Sequence, residues 1–199
     1  MSKGEQTREA ILRQAAAVFN QQGYFGASMS DIMRATGLEK GGIYNHFGSK
    51  DQLALEAFDY AFGLLTDRLR DALQGKTDSV DRLLTLIEII GGQVEDGPLP
   101  GGCPILNTAI EADDTHPALR ERARLAVEGW FGVVRRNVTR GVERGQIRPD
   151  VVPDEVATLM VATIEGSIML SKLYGDPVYV RRAIEFLRGY LTGLRCEAE

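Results

Sequence analysis

Few residues of this chain are spaced for catalysis. Gly75-Lys76-Thr77 has the form of a P-loop tail, but that loop needs a glycine five residues earlier, where Arg70 stands. It also needs a preceding strand, and here a helical pattern leads in. No Gly-x-Ser-x-Gly elbow occurs. His46 and His116 are far apart, and no His/Cys spacing suits zinc. Glu111, Asp113, Asp114 and His116 could hold a metal, although an exposed acidic loop is the plainer reading. No enzyme activity, metal or cofactor is expected. Cys103, in Gly101-Gly102-Cys103-Pro104, precedes a helix whose N-terminus can lower a thiol pKa. The glycine pair would leave such a thiol accessible to oxidants and electrophiles. The alternative is a small buried cysteine.

A different chemistry, reading of base edges, is suggested by residues 28–47, Ser-Met-Ser-Asp-Ile-Met-Arg-Ala-Thr-Gly-Leu-Glu-Lys-Gly-Gly-Ile-Tyr-Asn-His-Phe. Two short helices flank Thr36-Gly37-Leu38-Glu39. Ile32, Met33, Leu38 and Ile43 can pack inward, and the glycine allows a tight turn. This is the plan of a helix-turn-helix, whose second helix enters the major groove.

The elements that must position this segment are helical. Ile11, Leu12, Ala15, Ala16 and Phe19 form one stripe, ended by Gly23. Ser28-x-x-Asp31 and Ser49-x-x-Gln52 read as capping boxes. Phe58, Phe62, Leu65 and Leu69 face inward on the longer helix after the second box. Val80 to Val94 is amphipathic, and residues 96–104 form the clearest loop. A short helix at about 104–113 precedes a long one that runs from Pro117 until Gly145 and Pro149 stop it. The helix Val156–Tyr174 is apolar around most of its circumference. The last helix carries two stripes, Val180/Ile184/Leu187/Leu191/Leu194 and Tyr179/Ala183/Phe186/Tyr190. A helix with two apolar faces needs two partners, so the last two helices read either as a bundle shared with a second copy, the homodimer expected here, or as interior helices of a monomer. The fold expected is all-α with about nine helices. A three-helix head at 1–50 carries the helix-turn-helix. A helical bundle fills 51–199, and the helix over about 50–73 acts as a rigid joint.

Charge agrees with this division. The chain of 199 residues has a net charge of −5, yet residues 1–50 hold six Lys/Arg against four acids. A mildly basic head on an acidic body suits local phosphate contact. Arg136, Arg140, Arg144 and Arg148, with Arg135 beside them, read as a solvated helix face rather than a second nucleic-acid surface. The polar N-terminus carries no secretory pattern, and uninterrupted apolar runs are short for a membrane span. With two cysteines, a cytoplasmic location is expected.

Residues 37–53, Gly-Leu-Glu-Lys-Gly-Gly-Ile-Tyr-Asn-His-Phe-Gly-Ser-Lys-Asp-Gln-Leu, resemble the recognition-helix signature of the tetracycline-repressor (TetR) family. Ala15-Ala16-x-x-Phe19 and Gly23-Tyr24 fit as well, so the resemblance covers about the first 55 residues. It implies a ligand-responsive regulator, usually a repressor, that binds a palindrome-like double-stranded operator as a homodimer. By position, Tyr44 meets a phosphate, and His46 and Lys50 touch the backbone beside the groove. Ser28 and Ser30 could hold phosphates too. Lys40, Gly41, Gly42 and Asn45 lie where the recognition helix faces bases. The chain departs from the family pattern in Glu39, which replaces a capping hydroxyl, and in Gly42, where Ser or Thr is common. With glycine at 41 and 42, Lys40 suits guanine, Asn45 suits adenine, and backbone approach and DNA shape supply the rest. The resemblance also implies a body pocket for a small-molecule effector. Its candidate residues are Phe58, Phe62, Cys103, Asn107, Trp130, Phe131, Val134 and Met160, most of which would look the same as core. The competing reading is a helical interaction module without sequence-specific DNA binding.

Overall fold

A computed structural model describes residues 2–196, and over these the chain is helical, with no strand. The ten helices are α1 Lys3–Gly26, α2 Met29–Thr36, α3 Lys40–Tyr44, α4 Lys50–Ala72 and α5 Ser79–Gly91, then α6 Gln93–Asp96, α7 Pro104–Ala112, α8 Pro117–Glu143, α9 Pro153–Tyr174 and α10 Val178–Thr192. The one helix beyond the nine expected is α6. Gly92 interrupts what reads in sequence as a single amphipathic run, and Gln93 restarts it as one turn. Two compact units result. One comprises the chain up to Leu65 with Pro98–Arg124; the other comprises Thr66–Gly97 with the chain from Leu125.

In the first unit, α1 starts at a reciprocal cap: the Glu5 amide donates to the Ser2 hydroxyl, and the Ser2 amide donates to the Glu5 carboxylate. Its apolar stripe (Ile11, Leu12, Ala15, Ala16) packs with Ile32, Ile43, Phe47, Leu53 and Ala57 into the core under the helix-turn-helix. Each fully buried Ile or Phe there contributes roughly 1.5–3 kcal/mol. The turn between α2 and α3 needs a left-handed residue, and Gly37 takes φ 70° there, its amide donating to the Met33 carbonyl. At Gly23 (φ 77°, ψ 168°) α1 kinks, then continues for one short segment.

The box expected at Ser49 forms differently. The Gln52 amide donates to the Ser49 hydroxyl at 3.0 Å, but the Gln52 carboxamide oxygen accepts from Gly48 at 2.8 Å rather than from Ser49. The carboxamide thus spans four residues and ties down the turn before α4.

In the second unit, α5 is capped by Asp78, which accepts the Asp81 amide at 2.9 Å. Val80, Leu83, Leu86, Ile87 and Ile90 are buried, and α5, α9 and α10 pack pairwise. Gly75 follows the end of α4, so the P-loop form has no strand before it. By length and composition α9 is apolar enough to cross a membrane, although no uninterrupted apolar run within it approaches that length. Val156, Ala157, Met160, Ile164 and Ile168 are buried, while Leu159, Met169, Leu170, Leu173 and Tyr174 are exposed. On α10, Val180, Leu187 and Leu191 are buried and Phe186 is 68% exposed.

Candidate nucleic-acid interface and adjoining cavity

The second helix of the motif is held from behind and open in front. Ile43 is fully buried and Phe47 nearly so, while Lys40, Gly41, Tyr44 and Asn45 are exposed. This split follows from a five-residue helix with one apolar anchor. Glu39 is the N-cap but makes no capping hydrogen bond. A Cβ on Gly41 would meet nothing within 4 Å, whereas one on Gly42 would lie 3.7 Å from Leu38. Neither glycine is required by the fold here, which leaves α3's backbone open to close approach. The Lys40 ammonium lies 5.6 Å from the centroid of the Tyr44 ring, a cation–π placement.

Flanking residues are engaged in different ways. The Ser28 hydroxyl is occupied by its cap: it accepts the Asp31 amide at 3.2 Å and donates to the Asp31 carboxylate at 2.5 Å. That hydroxyl, then the Ser28 amide, holds the Asp31 carboxyl below its ordinary pKa. Ser30 is exposed and His46 half-buried. Lys50 points back into the unit. Its ammonium donates to the Tyr24 carbonyl at 2.6 Å and sits 4.4 Å from the centroid of the Tyr24 ring. The Tyr24 phenol donates to Asp51, and burial, then that bond and the negative charge of Asp51, push it up to about 12.

Behind Tyr24 lies a cavity of about 30 Å³, room for no more than a few waters. Its walls come from α1, α4, α7 and the start of α8. Phe58 and Asn107 of the expected ligand residues line it, while Phe62 and Cys103 do not. Trp130, Phe131, Val134 and Met160 belong to the other compact unit. Trp130 is buried with its Nε1 lacking a hydrogen-bond partner among the described residues.

Of the two readings of Cys103, an accessible thiol or a small buried cysteine, the structure has the second. The thiol is fully buried. The loop before it folds over α1 instead of standing away, because the Asn20 carboxamide donates to the carbonyls of Pro100 (2.8 Å) and Gly102 (3.0 Å). Asn107 reinforces this by donating to the Asn20 side-chain oxygen (2.8 Å), the Asn20 carbonyl (3.0 Å) and the Gly101 carbonyl (2.9 Å).

Glu111 is likewise not part of an exposed acidic loop. Its two carboxylate oxygens accept the amides of Tyr24 (2.7 Å) and Phe25 (2.8 Å), just past the kink. A Cβ at Gly23 would sit 2.6 Å from those oxygens, so the glycine admits the carboxylate. Among the described residues no cluster of His, Cys, Asp and Glu could hold a metal. Asn20, Tyr24 and Glu111 were not among the expected site residues. Only the Gly23-Tyr24 pair hinted at them, since the rest of the arrangement joins residues about 87 positions apart. Of the arginine row, Arg148 pairs with Asp150 and Arg135 bridges Glu128 and Asp154, while Arg136 and Arg140 are exposed.

Comparison with known proteins gives concordant results. Residues 11–57 match the family model described as bacterial regulatory proteins, tetR family, and residues 79–187 match the tetracyclin repressor-like C-terminal domain. The chain is 30% identical to the HTH-type transcriptional regulator LmrA of Bacillus subtilis over 86% of this chain and 88% of that one. It superposes on the crystal structure of a TetR transcriptional regulator from Chloroflexus aurantiacus with a TM-score of 0.95, at 47% identity, over all of both chains. A TetR-family regulator from Cytophaga hutchinsonii gives a TM-score of 0.89 at 34% identity, over 100% of this chain and 99% of that one.

Proposed function

Because the chain belongs to the tetracycline-repressor family of DNA-binding, ligand-responsive transcriptional regulators, we propose that it is a cytoplasmic repressor that docks α3 in the major groove of a palindrome-like operator. The observation that carries this is the exposed face of α3, Lys40, Gly41, Tyr44 and Asn45, backed by the buried Ile43 and Phe47. Lys40 and Asn45 read bases, Gly41 and Gly42 let the backbone approach, and Tyr44, His46, Ser28 and Ser30 meet phosphates. Lys50 either reaches a phosphate or, from its place on Tyr24, orders the start of α4. In this reading residues 1–50 carry DNA binding, and residues 51–199 carry ligand sensing and dimerisation.

The homodimer forms through α9 and α10. Its support is the band of exposed Leu170, Leu173, Tyr174 and Phe186, apolar surface of the kind that subunit contacts cover. Release from DNA follows from two global states, one preferred by operator and one by effector. A second route to release, modification of Cys103, requires the 97–103 loop to open first. A Cys103→Ser variant that still responds to electrophiles removes that route.

The decisive experiment is titration of the protein into labelled DNA from upstream of its own gene, with random DNA as control and at several salt concentrations. Selective binding is expected, with affinity falling as salt rises. Tyr44→Ala should weaken binding on all sequences and leave the helical content unchanged. An interaction module without DNA activity would show no preference for any sequence, even after selection from a random pool.

A further inference from the structure

We propose that the cavity beside Glu111 is a site for an organic cation, a quaternary or protonated amine with an apolar or aromatic body. Its entry would prise the Glu111 carboxylate off the Tyr24 and Phe25 amides. The proposal rests on the reading of the chain as a ligand-responsive regulator, and it names the class of ligand.

Three observations carry it. The first is the wall chemistry. Phe19, Tyr24, Phe25 and Phe58 supply aromatic rings, that of Tyr24 already carrying the Lys50 ammonium, and Glu111 is the one Asp, Glu, Lys or Arg lining the cavity. The His116 Nδ1 accepts the Leu119 amide at 3.2 Å. Aromatic faces with one carboxylate attract cations and repel anions. The second is the state of that carboxylate. No Lys or Arg among the described residues pairs with Glu111, whose charge is met only by two amide dipoles. A half-buried charge without a counter-charge gains from one that arrives with a ligand. The third is space. About 30 Å³ admits no organic molecule, so occupancy requires the walls to part. Two side chains of α7 bridge to the end of α1, Asn107 at Asn20 and Glu111 at Tyr24 and Phe25, and Glu111 is the bridge that holds the Tyr24–Phe25 segment.

Coupling to DNA follows from what Tyr24 holds on its other side. Its carbonyl and ring anchor Lys50, and its phenol holds Asp51, the first two residues of α4. A ligand that displaces the Tyr24–Phe25 segment frees the start of α4, immediately after the recognition helix. The ligand and the DNA-competent arrangement therefore exclude each other, which is the differential affinity that coupling needs.

The test is calorimetric titration of the full chain, without DNA, using benzyltrimethylammonium, neutral N,N-dimethylbenzamide and the anion phenylacetate at matched ionic strength. The expected result is saturable binding of the cation alone. Glu111→Gln should weaken it about tenfold, and Phe25→Leu about threefold; Phe25 is 56% exposed, so that variant leaves the core untouched. Equal binding of the neutral probe overturns the proposal, as does no binding of the cation or undiminished binding by Glu111→Gln. On operator DNA the cation should release the protein, beyond the effect of equal sodium chloride. A cation that binds and leaves the DNA complex intact overturns the coupling. Failure of the unliganded protein to bind any DNA selectively counts against the regulator reading, and the calorimetry judges the cation site independently of it.

Discussion

At the residue scale, Tyr24 and Gly41 carry the sharpest expectations. The Tyr24 phenol, raised by burial and by Asp51, should titrate near 12 when followed by ultraviolet absorbance. Asp51→Asn should bring it down toward 10. The sign of the linkage is that of a raised pKa. The contribution to stability is complete below the ordinary phenol value, and it fades as pH rises through the folded one. Gly41 shows the opposite of a structural glycine, since its Cβ direction is empty. Gly41→Ala should therefore stabilise the fold by up to about 1 kcal/mol, read in thermal unfolding, while it weakens operator binding. Unchanged operator affinity would remove Gly41 from the interface.

At the element scale, α2 depends on its cap. Ser28→Ala deletes both the bond to the Asp31 amide and the bond that lowers the Asp31 carboxyl. A cost of about 1 kcal/mol is expected near neutral pH. A depressed pKa stabilises above the unfolded value of about 4 and loses its effect as pH falls through the folded one. The gap between the two proteins should thus narrow in strong acid. Denaturant titrations at both pH values check this, and a gap independent of pH would show that Asp31 plays no part. The buried anchor of α3 is a larger matter. Ile43→Ala should cost about 2–5 kcal/mol and abolish DNA binding along with the head's cooperativity.

At the scale of the whole molecule, the proposed homodimer would draw on apolar surface that one chain leaves uncovered, Leu170, Leu173, Tyr174 and Phe186. Replacing Leu173 and Phe186 together by Glu should convert a dimer to monomers in sedimentation velocity, with the helix content retained. Loss of half-site pairing should lower operator affinity at the same time, because two heads bind a palindrome more tightly than one. A chain that sediments as a monomer before substitution would sink this assignment.

The all-α class, the helix-turn-helix, the long α8 and the buried faces of α5 and α10 were legible in the residues. Periodicity, capping pairs and turn glycines act over three to seven positions, so they are written locally. Gly92, which divides α5 from α6, was misread because a glycine within an amphipathic run does not announce a break. Gly23-Tyr24 and Glu111 were each visible in sequence, but not their union, which closes a loop of about 87 residues. The inward turn of Lys50 and the burial of Cys103 under the Asn20–Asn107 hydrogen bonds are of the same kind. A side chain's type limits what it can do. Its partner depends on which distant backbone amide or ring the packed core brings within 3 Å, and no local pattern encodes that.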